Sequence, residues 1–485
     1  MREGALAALV FASPLLAGGP QTIPLRTTFR AETLRLPGDE GLGLLGLSGT
    51  ADFGSFYLGP GLYGAARGDR GGLFTFGLEG GVRGRPWESV PLELDAGLFV
   101  GGGGGAAAPQ GGGLMLRPHV GAAFALGRFR IGAELSRVRF PSGGIDSTQA
   151  AITVAFTTDH LWAPESAWGD PFQGPVHWGG RGFEGEALKA EPSSRARTRG
   201  GGIQPAFDLA GFALSKDLPG PFSRFLSVDG AASGSSSGYA QAVAGLGLQA
   251  HIAGPLGVEA RFGAGLGGGG GVDTGGGFLI SGEGAFTLST KHWRASAGLG
   301  FLRAPGGSFE SRTVAIRLSH RLSVPLPWKG GEVLATFDLA HWRVGSGLLV
   351  YRHAQRQGGN AEPLQVMTLR ADRLLKGGFY LSGEAGSATG GGAGGYSTGL
   401  AGLGWQTPTF ARQRLFLEGA AGAGGGGGLR SGGGFLTSFR AGWRLDLPLG
   451  LELDAAIGKV RAPRGDLDTP TYGLGLHLRF AALER

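Results

Sequence analysis

The sequence predicts an all-β protein: a single large antiparallel transmembrane β-barrel of roughly 22–24 strands, built from three tandem repeats. Three observations lead there. Gly supplies 101 of the 485 residues, about three times its usual share, which disfavours helix because each interior Gly costs about 1 kcal/mol relative to Ala. Apolar residues alternate with small or polar ones at a period of two along most of the chain. One long unit occurs three times.

Composition removes several alternatives. The chain has no Cys, so disulfide scaffolds, thiolate metal sites and cysteine nucleophiles are excluded. With 29 Phe, 9 Trp and 7 Tyr it can bury too much apolar surface to be disordered throughout. The net charge is +7, yet Lys and Arg fall singly along the strands, as at Arg128 and Arg130, so nucleic acid is not an expected partner.

The repeat is carried by three five-glycine runs beginning at Gly101, Gly267 and Gly424, spaced 166 and 157 residues apart. Each lies in a Gly-rich hairpin, and each hairpin is followed by a turn of the form Arg-x-Pro-x-Gly. About seven strands are legible per unit. In the third they are LQVMTLRADRL, GFYLSGEAGSA, YSTGLAGLGWQ, QRLFLEGAAGAG, GGFLTSFRAGWRL, LELDAAIGKV and TYGLGLHLRF. An odd number would make successive units run in opposite senses. An eighth strand is therefore expected between units, at 332–344 before the third and in TIPLRTTFRAETLRL before the first. The chain divides into a leader (1–19), repeat 1 (20–158), an inter-repeat loop (159–202), repeat 2 (203–329), an inter-repeat strand and loop (330–361) and repeat 3 (362–485). Residues 1–19, MREGALAALVFASPLLAGG, have the apolar centre and small-residue end of a secretory signal peptide.

A membrane setting follows from the two strand faces. In GRFRIGAELS the residues Phe129, Ile131, Ala133 and Leu135 share one face, and Arg128, Arg130, Glu134 and Ser136 the other. In LGLELDAAIG, Leu449, Leu451, Leu453, Ala455 and Ile457 oppose Glu452 and Asp454. The second face is often Gly or Ala, a poor surface for water but an acceptable barrel interior when lipid covers the apolar face. No other stretch is long and apolar enough for a membrane helix, so a membrane would be crossed by strands.

The last strand alternates Tyr472, Leu474, Leu476, Leu478 and Phe480 before a short AALER tail. In this strand, the leader and the strand pattern, the chain resembles bacterial outer-membrane β-barrel proteins of the porin type. That resemblance implies the outer membrane of a Gram-negative bacterium, contact with its lipid, and recognition of the terminal Phe by the barrel assembly machinery. It also implies a periplasmic end for the last strand. The Gly hairpins and Arg-x-Pro-x-Gly turns would then lie outside, and the short turns at Leu126-Gly127 and Pro448-Leu449-Gly450 in the periplasm.

Candidate functional residues fall into three sets. Arg128, Arg130, Glu134, Glu452 and Asp454 are expected to line the lumen. Arg139 with Asp146, Arg303 with Glu310, and Arg461 with Asp468 flank the repeated turn. They read either as an ion-selecting rim or as a rigid turn in which Arg pairs with its acid. Asp159, His160, Trp162, Trp168, His177 and Trp178 in segment 159–202 form a candidate constriction loop suited to carbohydrate. The Gly hairpins read as bulged hairpins or as a gate; they lack the Lys-Ser/Thr of a phosphate loop. No GxSxG or HExxH set occurs, and the nine His fall singly, so neither an enzyme, nor a metal, nor a cofactor is expected. The function expected is a channel for polar solutes or an export route, possibly for polysaccharide. The alternatives are a non-conducting structural or adhesin-like β protein, or three small barrels in series.

Overall fold

The computed structural model describes residues 21–87, 89–165, 175–327, 332–333 and 338–484. The expected leader, residues 1–19, lies outside them. Strands β1 (Gln21–Arg35), β2 (Gly41–Phe53), β3 (Phe56–Arg67), β4 (Phe74–Gly84), β5 (Leu92–Gly104), β6 (Met115–Leu126), β7 (Phe129–Arg139) and β8 (Asp146–Pro164) follow one another as antiparallel neighbours. The ring closes when β8 pairs with β1, from Trp162 against Gln21 to Ala151 against Glu32. This is barrel 1.

Barrel 2 repeats the plan. It comprises β9 (Pro175–Pro192), β10 (Phe207–Asp217), β11 (Phe222–Gly234), β12 (Ala240–Ala253), β13 (Leu256–Gly268), β14 (Phe278–Ser289), β15 (Trp293–Arg303) and β16 (Glu310–Pro327), with β16 closing on β9. A two-residue strand, β17 (Glu332–Val333), adds to β9. Barrel 3 comprises β18 (Asp338–Gln355), β19 (Ala361–Leu374), β20 (Phe379–Gly390), β21 (Ser397–Gln406), β22 (Gln413–Gly425), β23 (Phe435–Asp446), β24 (Leu451–Arg461) and β25 (Asp468–Glu484), with β25 closing on β18.

The single barrel of 22–24 strands is therefore corrected to three closed barrels of eight. Both arrangements satisfy antiparallel closure by an even strand number and use the same alternation, so the strand pattern cannot separate them. The choice lies in which strand the eighth one meets. Across units, β8 meets β25 only at Trp162–Pro164 against Phe480–Ala482. Segment 159–202, expected as a loop, contains the end of β8 and all of β9. Of the inter-repeat strand expected at 332–344, residues 338–344 open β18, the first strand of barrel 3, 332–333 form β17, and 334–337 lie outside the described residues. Residues 481–484 of the tail extend β25 beyond Phe480, and Ala481 packs against Ala163 and Leu339.

All three barrels run in the same sense. One end carries the Gly hairpins and the Arg-x-Pro-x-Gly turns, here the loop end. The other carries the short turns after β6 and β23 and both ends of each barrel's strand sequence. The expected partition of faces is present. Phe129, Ile131 and Leu135 are about half exposed on the outside of barrel 1, as are Ile457, Leu474 and Leu476 on barrel 3. Glu134, Glu452 and Asp454 are buried inside. This apolar exterior around a polar interior is the arrangement of a lipid-embedded barrel; no helix of the described residues is long and apolar enough to cross a membrane.

Candidate functional site

The barrel interiors are built in two layers. At the loop end each is filled by apolar side chains. In barrel 1 these include Leu34, Leu44, Tyr63, Phe99, Met115 and Phe140. Barrel 2 uses Phe207, Tyr239, Leu279 and Phe309, and barrel 3 uses Tyr351, Leu364, Tyr396 and Leu436. Small residues make room for these rings: a Cβ on Gly46 would lie 2.4 Å from the Tyr63 ring, and one on Gly101 2.4 Å from the Phe99 ring. Alternating large and small side chains is how a narrow barrel is packed solid.

Below that layer lie ion pairs. In barrel 1, Arg30 binds Glu134 (3.0 Å) and Glu79 (2.5 Å), and Arg117 binds Glu32 (2.9 Å) and Glu134 (3.1 Å). In barrel 2, Arg261 binds Glu184 (2.8 Å), and Arg317 binds Glu186 (2.7 Å) and Glu283. A cavity of about 40 Å³ remains there, between Glu186, Asp229, Gln241 and Arg317, room for about one water. In barrel 3, Glu452 joins Arg343 (3.0 Å) and Arg414 (2.8 Å), while Glu418 joins Arg370 and Arg440. Long side chains of opposite sign can meet across an eight-stranded lumen; in a much wider barrel they would stay solvated.

The sequence-derived sites sort accordingly. Glu134, Glu452 and Asp454 face the interior, Asp454 beside His477 at 3.2 Å, and Arg130 reaches Glu93 at 3.6 Å. Arg128 instead sits exposed at the short-turn end, paired with Asp159. The repeated turn is the same in all three barrels. The N–H groups of Phe140, Ala304 and Ala462 donate to the carbonyls of Ile145, Phe309 and Leu467, at 2.9, 2.8 and 2.7 Å. Arg139–Asp146 and Arg461–Asp468 are 4.0 and 3.9 Å apart on the surface, and each acid is held more closely by another cation, Arg137 or Lys459, at 2.7 Å. Arg303 faces Glu310 across the β15–β16 pair.

The candidate constriction set is dispersed. Asp159, His160 and Trp162 lie on β8, and Trp162 packs near Phe480 with ring centroids 6.3 Å apart. His177 and Trp178 belong to β9, and Trp168 lies outside the described residues. Asp159 pairs with Arg128 within barrel 1, whereas His160 lies against Arg181 of barrel 2, so the described members of the set stand on two strands rather than on one loop.

Two features escaped the sequence. One is a buried hydrogen-bonded set in barrel 1, where His119 Nε2 lies 2.8 Å from Asp95 and 3.2 Å from the Tyr57 hydroxyl. Asp95, His119 and Glu134 could bring three ligand atoms within 4.8 Å of one another. Glu134 is already occupied by two guanidinium groups, so a divalent cation would have to displace them. Tyr57 and His119 are almost fully buried, which also closes the set to a substrate.

The other is the role of the glycines. Each Gly hairpin, between the fifth and sixth strands of its barrel, docks on the loop between the third and fourth strands of a neighbour. The hairpin of barrel 2 receives an N–H from Gly71 at the Gly275 carbonyl (2.8 Å). The hairpin of barrel 1 exchanges bonds with barrel 3: Gln110 Nε2 donates to the Gly394 carbonyl (3.0 Å), and the Gly394 N–H to the Gly111 carbonyl (3.1 Å). The hairpin of barrel 3 meets barrel 2 where Ser237 Oγ lies 2.7 Å from Ser431 Oγ. The order 1 to 3 to 2 to 1 closes a ring, a pseudo-threefold assembly in one chain. Gly is required because backbone meets backbone: a Cβ on Gly72, where φ is +94°, would lie 2.2 Å from the Gly269 nitrogen.

Each hairpin is also tied to its own turn. In barrel 2 the Asp273 carboxylate accepts from the Ser308 hydroxyl (2.7 Å), the Ser308 N–H (3.0 Å) and the Gly275 N–H (3.3 Å). Burial pushes this carboxyl up, but the donors outweigh it and hold its pKa below the ordinary value. Because the folded pKa is the lower one, the tie is complete above the unfolded value of about 3.9 and is lost as pH falls through the folded value. Amide-exchange protection of Gly275 and Ser308 is expected to stay constant from about pH 8 to pH 5 and to fall only once the pH drops below the ordinary carboxylate value of about 3.9. Asp273→Ala should lose it at neutral pH. Protection that survives acid in the wild type would remove Asp273 from this role.

No protein-family model matches the chain, and no curated protein matches it. Solved structures that it is similar to include OccAB3 of Acinetobacter baumannii (11% identity, 95% of this chain and 99% of that one, TM-score 0.21). OpdQ of Pseudomonas aeruginosa covers 95% and 98% at 11% identity, with a TM-score of 0.22. The ferric enterobactin receptor PfeA of the same organism covers 95% and 82% at 10% identity, with a TM-score of 0.27. Likeness at this level carries no argument for fold or activity, which rest on the geometry above.

Proposed function

We propose that this chain is an integral outer-membrane protein whose three barrels stand side by side in the lipid, joined by the Gly hairpins into a rigid, closed platform. The observation that carries this reading is the coincidence of an oily exterior with interiors filled by side chains. Such a barrel has an apolar layer across the loop end and ion pairs below it, so its resting state offers no wide aqueous path. The orientation inferred from the last strand puts the hairpins and Arg-x-Pro-x-Gly turns at the cell exterior, where the platform presents a surface made largely of backbone. Delivery by the barrel assembly machinery accords with the alternating last strand.

A second reading is favoured by the charged lower interiors. Small polar solutes or ions could pass one barrel at a time if the Arg–Glu pairs exchange partners and the apolar layer opens. Polysaccharide is too wide for this route. Planar-bilayer recording separates the two readings. The closed platform is expected to give no large, stable single-channel steps, whereas frequent large steps in the purified protein would favour the channel. Heat-modifiable gel mobility, with retention in the outer-membrane fraction, tests the membrane assignment itself; a soluble product would end both readings.

A further inference from the structure

The outer face of barrel 2 carries a row of cations that the platform does not use. Cross-strand register places Arg181 on β9 opposite Lys216 on β10, and Lys216 opposite Arg224 on β11. Cross-strand partners point to the same side, and these three point outward, near the short-turn end. Like charges set directly opposite one another are unfavourable unless an anion joins them. Among the described residues no carboxylate pairs with any of the three. Asp217, next to Lys216 in sequence, points inward and binds Arg321 at 3.0 Å. Asp159 of barrel 1 is paired with Arg128. Arg181 has its guanidinium against His160 of barrel 1, 3.0 Å from Nδ1, which holds it in place without neutralising it.

The rows toward the loop end are apolar. Phe183, Leu214 and Leu226 form the next one, and Gly185, Phe212 and Val228 the one after. Phe183 and Phe212 stack with centroids 5.6 Å apart, and Leu214 and Val228 are more than half exposed. A short cationic row thus borders a continuous hydrocarbon-compatible face. Rows near the same end of the other barrels differ: Leu25–Ala51–Leu58 in barrel 1 and Trp342–Arg373–Leu381 in barrel 3.

We infer that Arg181, Lys216 and Arg224 form a site for the phosphate of an anionic lipid, whose acyl chains lie along Phe183, Leu214 and Phe212. Arg and Lys together suit a phosphate, and long cationic side chains reach the headgroup level from a lipid-facing strand. The adjoining apolar rows favour a lipid over free phosphate. The inference rests on the membrane reading above.

The test uses full-length protein in phosphatidylcholine vesicles containing a minority of phosphatidylglycerol, with spin-labelled lipids reporting which species contacts the protein. Wild type should enrich phosphatidylglycerol by about fivefold over phosphatidylcholine. Arg181→Gln/Lys216→Gln/Arg224→Gln should abolish the enrichment, and Arg181→Lys/Arg224→Lys should keep it. Arg312→Gln, at the loop end of the same barrel, should leave it unchanged. If the triple variant loses heat-modifiable mobility, Arg224→Gln alone should still reduce the enrichment about twofold. Enrichment unchanged in a folded triple variant, or in Arg224→Gln when the triple variant fails to fold, overturns the site. So does enrichment erased by excess inorganic phosphate, which would mark a free-anion site. Protein that inserts without preferring phosphatidylglycerol overturns this inference alone; protein that fails to insert overturns the membrane reading with it.

Discussion

Valine in place of Gly238 is expected to open the joint between barrels 2 and 3 while both barrels stay folded. Gly238 has φ of +87°, and a Cβ there would lie 2.6 Å from the Gly426 nitrogen and 2.7 Å from its Cα. Both obstacles are backbone, so no rotamer change relieves them. Overpacking of about 1–3 kcal/mol adds to about 1–2 kcal/mol for a β-branched residue in the left-handed region. Together, at about 2–5 kcal/mol, these shift the closed-to-open ratio by at least about thirtyfold. The chain has no Cys, so a reporter is simple to build: Ser237→Cys with Ser431→Cys places two thiols where the hydroxyls now lie 2.7 Å apart. Disulfide formation should be fast in that background and at least about tenfold slower once Gly238→Val is added, with heat-modifiable mobility unchanged. An equal rate would show that the hairpins do not hold the ring together.

The second large effect is expected from Glu452→Gln in barrel 3. Glu452 is fully buried among Arg343, Arg414 and Arg444. Arg343 keeps Asp372 and Arg414 keeps Asp446, but Arg444 loses its only charged partner among the described residues and keeps neutral acceptors alone, donating to the Gln406 Oε1 (2.7 Å) and the Tyr380 hydroxyl (3.2 Å). Leaving a charge buried without its partner costs about 3–5 kcal/mol. Urea unfolding in vesicles, followed by Trp405 and Trp443 fluorescence, should show barrel 3 weakened by that amount. Adding Arg444→Met should recover most of the loss, since replacing a buried pair by apolar groups of similar volume is often near neutral. A Glu452→Gln barrel as stable as wild type would mean that water enters the interior freely, which would revive an open lumen.

These two experiments address different parts of the molecule. The joints and turns share one plan in all three units: the turn after the seventh strand closes with the same backbone bond, and each Gly hairpin docks on the loop between a neighbour's third and fourth strands, although the individual bonds at the three joints differ. The ion-pair networks do not. Barrel 1 hangs its network on Arg30 and Arg117 from the first and sixth strands, barrel 2 on Arg261 and Arg317 from the fifth and eighth. Barrel 3 uses Arg343, Arg370, Arg414 and Arg440. Any solution that neutralises the interior will serve a barrel, whereas a ring of three must present matching loops at every joint.

Much was legible in one dimension. The alternation that set Phe129, Ile131 and Leu135 against Arg130 and Glu134 placed the first group outside and the second inside. Seven strand segments read in the third unit became β19 to β25, and part of the strand expected ahead of them opens β18. The three copies and their common sense of insertion followed from spacing and strand parity. Local periodicity and turn chemistry act between neighbours in sequence, which is why a chain read in order reveals them.

What could not be read is everything that depends on which distant strand closes a sheet. Whether Asp146–Pro164 meets Gln21–Arg35 or Pro175–Pro192 leaves the strand pattern untouched, yet it decides between one wide lumen and three filled ones. That closure brought Glu134 to Arg30 and Glu452 to Arg343, turning expected lumen residues into interior braces. It also set Gly71 against Gly275 and Ser237 against Ser431, giving the glycine runs a purpose that no local rule contains. Alternation records the direction a side chain faces; only the curvature of the closed sheet determines what it meets there.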